Sequence, residues 1–199
     1  MSEKKKRVVI VDDHPLLRER LAQLINHELD MEVCGEAENA QDGIQLIRNT
    51  CADLAIVDIT LKGSSGLELI KNLKALSIGI PVLVLSMHDE ALYAERALHA
   101  GATGYITKHQ AADQIILAVR RILAGEVYLS EGMTTSFLKS LTSAGVKSLS
   151  RPIDRLTERE LEVLELIGSG HTTREIAETL KRLSGSRALG GKEDDASRK

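Results

Sequence analysis

The chain repeats a pattern of apolar runs and helical stretches between residue 8 and about residue 124. Each short continuous apolar run is followed by a stretch whose apolar residues recur at helical spacing. The first run is 8–11, and the stretch after it contains Leu16, Leu17, Leu21, Leu24 and Ile25. Further runs begin near residues 32, 54, 81 and 104. Continuous apolar runs are typical of parallel strands covered on both faces, so the pattern predicts a five-unit α/β domain with a doubly wound parallel sheet over residues 1–125.

The pattern changes after residue 125. Residues 126–150 are rich in Gly, Ser and Thr, which predicts a linker, although residues 133–141 could form one helix. Residues 151–181 contain two capping-box signatures, Thr157 with Glu160 and Thr172 with Glu175, each followed by apolar residues at helical spacing. Two short helices around a glycine-containing turn predict a helix-turn-helix unit. Residues 182–199 contain three glycines and no sustained helical spacing, which predicts a disordered tail.

Composition narrows the class of protein. No apolar run approaches the roughly 18 residues that a membrane span needs, and the start lacks the apolar stretch of a signal peptide, so we expect a cytoplasmic protein without a membrane partner. Cys34 and Cys51 lack metal-binding spacing, which favours free thiols or small core residues. Aromatic residues make up 2% of the chain, which argues against a stacking platform for single-stranded nucleic acid.

Polar residues stand where the predicted strands end, and ligands of doubly wound sheets bind outside these carboxyl ends. They are Asp12, Asp13, Asp58, Ser86 and Lys108. Singly, each is explained as a helix cap, a loop residue or a solvated charge. Together, the three carboxylates need a cation, and oxygen ligands favour Mg²⁺. A cation, an ammonium and a hydroxyl beside Asp58 predict phosphoryl transfer to that carboxylate.

Four segments resemble the receiver domain of bacterial two-component response regulators. They read VVIVDDHP, AIVDITLKGSSG, LVLSMH and AGATGYITK, and the resemblance covers residues 7–124. It implies a flavodoxin-like sheet with strand order 2-1-3-4-5. It also implies that Asp58 accepts phosphate from a sensor histidine kinase, and that the protein is no enzyme beyond its own phosphotransfer and dephosphorylation. Lys62 departs from the family, which often has proline there, without removing a ligand.

The same resemblance implies a role for each of the other site residues. Asp12 and Asp13 would hold Mg²⁺ together with Asp58 and the backbone carbonyl near Thr60. Ser86 would bond to a phosphoryl oxygen and Lys108 would pair with it. Tyr105 would be the aromatic residue that turns on phosphorylation, and the altered face would form a phosphorylation-dependent homodimer.

The second part of the chain is similar to the DNA-binding domain of the NarL/FixJ (LuxR-type) subfamily, through the segment LTERELEVLELIGSGHTTREIAETL. This implies a transcription regulator. The resemblance ends at about Lys181, where the family continues into a turn and a recognition helix, so we expect that helix to be missing here. Residues 151–180 carry four basic against seven acidic residues, whereas residues 181–199 carry six against three. Both observations argue against sequence-specific DNA binding, and the sequence assigns no DNA-contacting residue.

Three alternatives remain beside the DNA-binding regulator. A receiver-only signalling protein would act through protein contacts after losing sequence-specific DNA binding. A magnesium-dependent phosphatase with an aspartyl nucleophile would need a second acid near Asp58, and Asp58-Ile59-Thr60 supplies none. A flavodoxin-like cofactor binder would place a flavin phosphate beside Asp12 and Asp13, which would repel it.

Overall fold

The computed structural model describes residues 4–110, 112–135 and 156–188. Contacts divide the chain into two compact units, Met1–Gly145 and Val146–Lys199. The first unit contains a five-stranded parallel sheet. Its strands are β1 (Lys6–Val11), β2 (Met31–Ala37), β3 (Leu54–Val57), β4 (Val82–Ser86) and β5 (Gly104–Thr107). The observed order β2-β1-β3-β4-β5 confirms the prediction.

A helix follows each strand of the sheet. The helices are α1 (Pro15–Asn26), α2 (Ala40–Thr50), α3 (Gly66–Ala75), α4 (Glu90–Ala100) and α5 (Ala112–Leu123). Side chains of Asn39, Ser65 and Asp89 accept hydrogen bonds from the first turns of α2, α3 and α4. These caps satisfy backbone amides that have no partner within the helix, so the sequence itself marks where three helices begin.

The core lies on both faces of the sheet. Helices α1 and α5 cover one face, where Leu21 and Val119 pack in one cluster with Val8 and Ile10 of β1. On the other face, α2 approaches β1 so closely that a Cβ at Gly43 would stand 2.9 Å from a methyl group of Val11. Strands buried on both faces account for the continuous apolar runs in the sequence.

One expectation about a buried position was wrong. Leu16 was assigned to the apolar face of the first helix, but it is 83% exposed. Leu17, Leu21 and Leu24 carry that face at helical spacing, and the neighbouring position points about 100° away from it. The cysteine prediction was confirmed, because both cysteines are free thiols, and Cys51 is exposed at the end of α2.

Part of the predicted linker belongs to the first unit. Tyr128 forms an isolated parallel bridge with Gly104 of β5, and the Tyr105 amide donates to the Tyr128 carbonyl at 2.9 Å. Residues 131–135 are helical, which fits the start of the helix considered for residues 133–141. The remainder of that helix and of the linker lies outside the described residues.

The second unit contains helices α6 (Glu158–Gly168) and α7 (Thr173–Ala188). The predicted capping box at Thr157 is present, and the Thr172 amide and hydroxyl likewise bond to Glu175. Gly170 makes the turn with a φ of 82°. Helix α7 continues to Ala188, beyond the expected boundary at Lys181, because glycine in a helix costs only about 1 kcal/mol relative to alanine and keeps its backbone donor. Residues 189–199 of the predicted tail lie outside the described residues.

None of the helices in the described ranges is both long and apolar enough to cross a membrane.

We expect the Leu83→Ala substitution to lower the free energy of unfolding by about 2–5 kcal/mol, because Leu83 is fully buried in β4 and its loss leaves a cavity. The matched control is Leu29→Ala at a position that is 92% exposed, where we expect a change within about 0.5 kcal/mol. Urea unfolding measures both, and equal losses in the two variants would contradict the observed core.

Candidate functional site

Three charged side chains from three strands meet at the carboxyl edge of the sheet. Asp12 follows β1, Asp58 follows β3, and Lys108 follows β5. The Lys108 Nζ lies 2.6 Å from Asp58 Oδ2 and 2.8 Å from Asp12 Oδ2. All three side chains are at most 5% exposed. The structure therefore brings together the carboxylates and the ammonium that the sequence placed at separate strand ends.

Backbone hydrogen bonds hold these residues at the ends of the ladder. The Asp58 amide donates to the Val11 carbonyl at 2.9 Å, and the Lys108 amide donates to the Ser86 carbonyl at 2.7 Å. The Asp12 amide donates to the Ala37 carbonyl at 3.1 Å. Because each residue continues the pairing of its strand, the positions of these side chains follow from the register of the sheet.

The loop after Asp58 turns back tightly toward α3. Thr60–Leu61 pairs with Ser64–Ser65 in a short antiparallel hairpin, and the Thr60 amide lies 3.3 Å from Asp58 Oδ1. A Cβ at Gly66 would stand 1.9 Å from the Asp58 carbonyl oxygen. Only glycine allows this approach, so Gly66 fixes the path of the chain beside Asp58.

Burial and neighbouring charges oppose each other at Asp58. The pKa of Asp58 is raised from its ordinary value of 3.8 to about 6, because the effect of burial and of the Asp12 charge, which raise it, outweighs that of the Lys108 charge, which lowers it. Burial alone would lower the pKa of Lys108, but the Asp58 and Asp12 carboxylates raise it above its ordinary value. Lys108 therefore remains an ammonium, and Asp58 is half protonated only near pH 6.

A group of possible metal ligands lies at the outer side of this ion pair. One ligand atom from each of Asp12, Asp13, His14 and Asp58 lies within 4.8 Å of the others. Asp13 Oδ1 is buried and accepts no hydrogen bond among the described residues, although His14 Nδ1 lies 2.8 Å from it. Three carboxylates with ligand atoms this close together suit a hard divalent cation, so the residues present fit Mg²⁺.

Ser86 and Tyr105 are joined through the backbone of His88. The His88 amide donates to Ser86 Oγ at 3.2 Å, and the Tyr105 hydroxyl donates to the His88 carbonyl at 3.0 Å. Ser86 and Tyr105 are both buried, and burial raises the pKa of the Tyr105 phenol. The predicted hydroxyl and aromatic residue therefore lie in one connected network beside the carboxylates.

Sequence reasoning did not identify His88 as part of the site. Its ring nitrogen Nε2 lies 3.1 Å from the Thr60 hydroxyl, and the ring stacks on Tyr93 of α4 with centroids 4.4 Å apart. The only signal in the sequence was its position two residues after Ser86. That spacing says nothing about a contact with Thr60, which is 28 residues away in the chain.

Comparisons with known proteins agree with this geometry. Residues 8–120 match the model of the response regulator receiver domain, and residues 154–182 match that of the luxR family of bacterial regulatory proteins. The chain is 37% identical over 175 residues to the nitrate/nitrite response regulator protein NarL of Escherichia coli, covering 87% of this chain and 80% of that protein. It is 34% identical over 174 residues to the virulence regulator BvgA of Bordetella pertussis, covering 87% and 81%.

Solved structures support the same relationship. A LuxR-family response regulator from Aurantimonas has a TM-score of 0.64 and 30% identity, over 70% of this chain and 99% of that one. The receiver domain of a NarL regulator from Mycobacterium tuberculosis has a TM-score of 0.59 and 31% identity, over 62% and 99%.

The fold and the acidic site of the first unit define a receiver domain. The chain belongs to the LuxR family of two-component response regulators, with a receiver domain followed by a LuxR-type DNA-binding region. Its relatives are described as response regulators and transcriptional regulators, so neither the phosphatase nor the flavin-binding alternative gains support. The receiver-only alternative is not favoured either. The luxR match ends at residue 182, close to the end of the resemblance at Lys181.

We expect the stability of the metal-free protein to depend on the titration of Asp58. Folding raises the pKa of Asp58 from its ordinary value of 3.8 to about 6. At pH values between these two numbers, the folded state therefore binds more protons than the unfolded state. The resulting stability is present at lower pH and is lost as the pH rises through about 6. In EDTA, the free energy of unfolding should therefore fall relative to that of Asp58→Asn between about pH 4 and pH 7, by up to about 3 kcal/mol. Parallel pH curves for the two proteins would contradict this.

Proposed function

We propose that this chain is a phosphorylation-controlled transcription regulator in which Asp58 accepts a phosphoryl group from the histidine of a sensor kinase. The observation that carries the proposal is the contact of Lys108 with both Asp58 and Asp12, at 2.6 and 2.8 Å, at the carboxyl edge of a receiver sheet. A buried carboxylate paired with an ammonium supplies both an acceptor and a charge that stabilises the transferred group.

The transfer would proceed at one oxygen of Asp58. This oxygen forms a bond to phosphorus while the bond from phosphorus to the kinase histidine nitrogen breaks, and that nitrogen takes up a proton. The product is an acyl phosphate on Asp58. Lys108 would move its contact from the carboxylate to a phosphoryl oxygen, and the Ser86 hydroxyl would donate to another.

Receiver domains generally bind Mg²⁺ at an acidic pocket, and we assign that ion here to Asp12, Asp13, Asp58 and the backbone carbonyl of Thr60. The close approach of the carboxylate ligand atoms supports the assignment. When bound, the ion would neutralise the carboxylates and the charge of the phosphoryl oxygens.

The network around His88 supports a route from Ser86 to Tyr105. A shift of Ser86 toward the phosphoryl group would pull or break the hydrogen bond that the His88 amide donates to Ser86 Oγ. The same residue offers the carbonyl that holds the Tyr105 hydroxyl. Release of that hydrogen bond would let Tyr105 turn and would change the face formed by α4 and β5, which we propose as the signal for dimerisation.

The output would be DNA binding by the second unit in the phosphorylated dimer. Two capped helices with buried Leu161 and Ile176 support a folded element there. Two observations favour the receiver-only alternative instead. Residues 151–180 carry more acidic than basic residues, and the family match ends at residue 182.

Phosphorylation of Asp58 is tested by mass spectrometry. With acetyl phosphate and Mg²⁺, we expect the wild-type chain to gain about 80 Da, the mass of one phosphoryl group, and Asp58→Asn to gain nothing. Asp53→Asn is the matched control, because Asp53 stands before β3 as Asp58 stands after it, and this variant should gain the full mass. Uptake by Asp58→Asn, or none by the wild type, would refute the proposal.

DNA binding is tested by titration against short mixed-sequence duplex DNA over a range of salt concentrations, before and after phosphorylation. A regulator that neutralises several phosphates should lose affinity steeply with added salt. We expect phosphorylation to strengthen binding in the wild type and to leave Asp58→Asn unchanged. If phosphorylation of Asp58 is confirmed but the protein binds DNA in a salt-sensitive way neither before nor after it, the result would favour the receiver-only alternative.

A further inference from the structure

Arg18 of α1 connects three parts of the first unit beside the acidic site. Its Nη1 donates to the backbone carbonyl of Asp12 at 2.6 Å. Its Nε lies 3.5 Å from a carboxylate oxygen of Glu36 in β2, and its Nη2 lies 3.6 Å from one of Glu38. The Arg18 side chain is only 12% exposed, although it comes from the first turns of a surface helix. The end of β1, the start of α1 and the end of β2 therefore share one guanidinium.

The hydrogen bond from Arg18 to the Asp12 carbonyl also constrains the residue that follows Asp12. A carbonyl held by a charged donor fixes the plane of its peptide, and the next residue in that peptide is Asp13. The Asp12 side chain has other partners, since Oδ1 accepts from the His14 amide at 2.8 Å and Oδ2 contacts Lys108. Asp13 Oδ1 accepts no hydrogen bond among the described residues, and its contact, at 2.8 Å, is with Nδ1 of His14, the next residue in the same loop. The peptide held by Arg18 therefore helps to set the position of Asp13.

The two glutamates keep Arg18 from competing with a cation. An unpaired guanidinium beside three carboxylates would repel a divalent ion. Here the charge is shared with Glu36 and Glu38 on the side of β2. Arg18 can therefore position the loop without adding an uncompensated positive charge to the site.

We propose that Arg18 is a positioning residue that sets the Mg²⁺ affinity of the receiver by holding the Asp12–Asp13 peptide. The inference rests on the metal site of the proposed function, and it concerns affinity rather than the chemistry of transfer. Hydrogen-bond partners behind metal ligands typically contribute a factor of 10 to 100 in metal affinity. Arg18→Met should therefore weaken metal binding by about tenfold.

The test measures metal binding without phosphorylation. The electron paramagnetic resonance signal of free aqueous Mn²⁺ reports how much Mn²⁺ the full chain binds, and competition with Mg²⁺ gives the Mg²⁺ affinity. Arg18→Met should bind about tenfold more weakly, and Arg18→Lys, which keeps a donor for the carbonyl, should recover part of the loss. Wild-type affinity in Arg18→Met, or no recovery in Arg18→Lys, would overturn the proposal.

The matched control is Arg120→Met. Arg120 also bridges two acidic residues, Glu28 and Asp30, but the Asp30 carbonyl accepts from the Lys6 amide at the amino-terminal edge of the sheet. This variant should bind Mn²⁺ as the wild type does, and an equal loss in both variants would assign the effect to stability instead. If the wild type itself binds no Mn²⁺ or Mg²⁺, the metal site of the proposed function fails, and that result is distinct from failure of the Arg18 inference.

Two further readouts separate positioning from general destabilisation. With acetyl phosphate, Arg18→Met should need about tenfold more Mg²⁺ for half-maximal phosphorylation and reach nearly the wild-type rate at saturation. In the metal-free protein, hydrogen exchange at the His14 amide, which bonds to Asp12 Oδ1, should become faster in Arg18→Met than in Arg120→Met. The positioning role would be contradicted if Arg18→Met lowered the phosphorylation rate at saturating Mg²⁺ but left the half-saturating Mg²⁺ concentration unchanged. Equal hydrogen exchange at the His14 amide in the two variants would also contradict it.

Discussion

The contact of one ammonium with two buried carboxylates is the interaction on which the receiver unit depends. Asp12, Asp58 and Lys108 come from three different strands, and each is almost fully removed from water. Burial of an unpaired charge is costly, so these groups are tolerated only if β1, β3 and β5 end at the same edge in the observed register. The order of the sheet and the chemistry of the site therefore require each other.

The same balance of charges explains how one site can exist in two states. Three carboxylates and one ammonium leave an excess of negative charge near Asp58, and burial holds the pKa of Asp58 near 6. A divalent cation relieves that excess, and a phosphoryl group restores it. Lys108 contacts the Asp58 carboxylate in the unphosphorylated state. The same ammonium is therefore close enough to pair with a phosphoryl group on Asp58. Arg18 acts on the neighbouring loop without entering this balance.

The sequence predicted the sheet and the positions of the site residues well, because both follow from strand periodicity. Apolar runs such as 54–57 mark buried strands, and the polar residue that ends each run must lie at the shared carboxyl edge. Side-chain partners could not be predicted in this way. Arg18 looks like any solvated arginine on a helix, and His88 gives no indication of Thr60. The end of α7 was also missed, because Gly185 weakens a helix without preventing it.

The bridge between Tyr128 and Gly104 has a consequence for how copies of the chain can associate. Strand β5 lies at the border of the sheet, where unpaired amides and carbonyls would invite another chain to add a strand. The chain covers part of this border with its own backbone, since Tyr128 exchanges hydrogen bonds with Thr103 and Tyr105. Association through β5 by strand addition is blocked at this point. At the amino-terminal part of β5, a second copy therefore cannot extend the backbone ladder, and contacts made there would have to use side chains, which can be repacked.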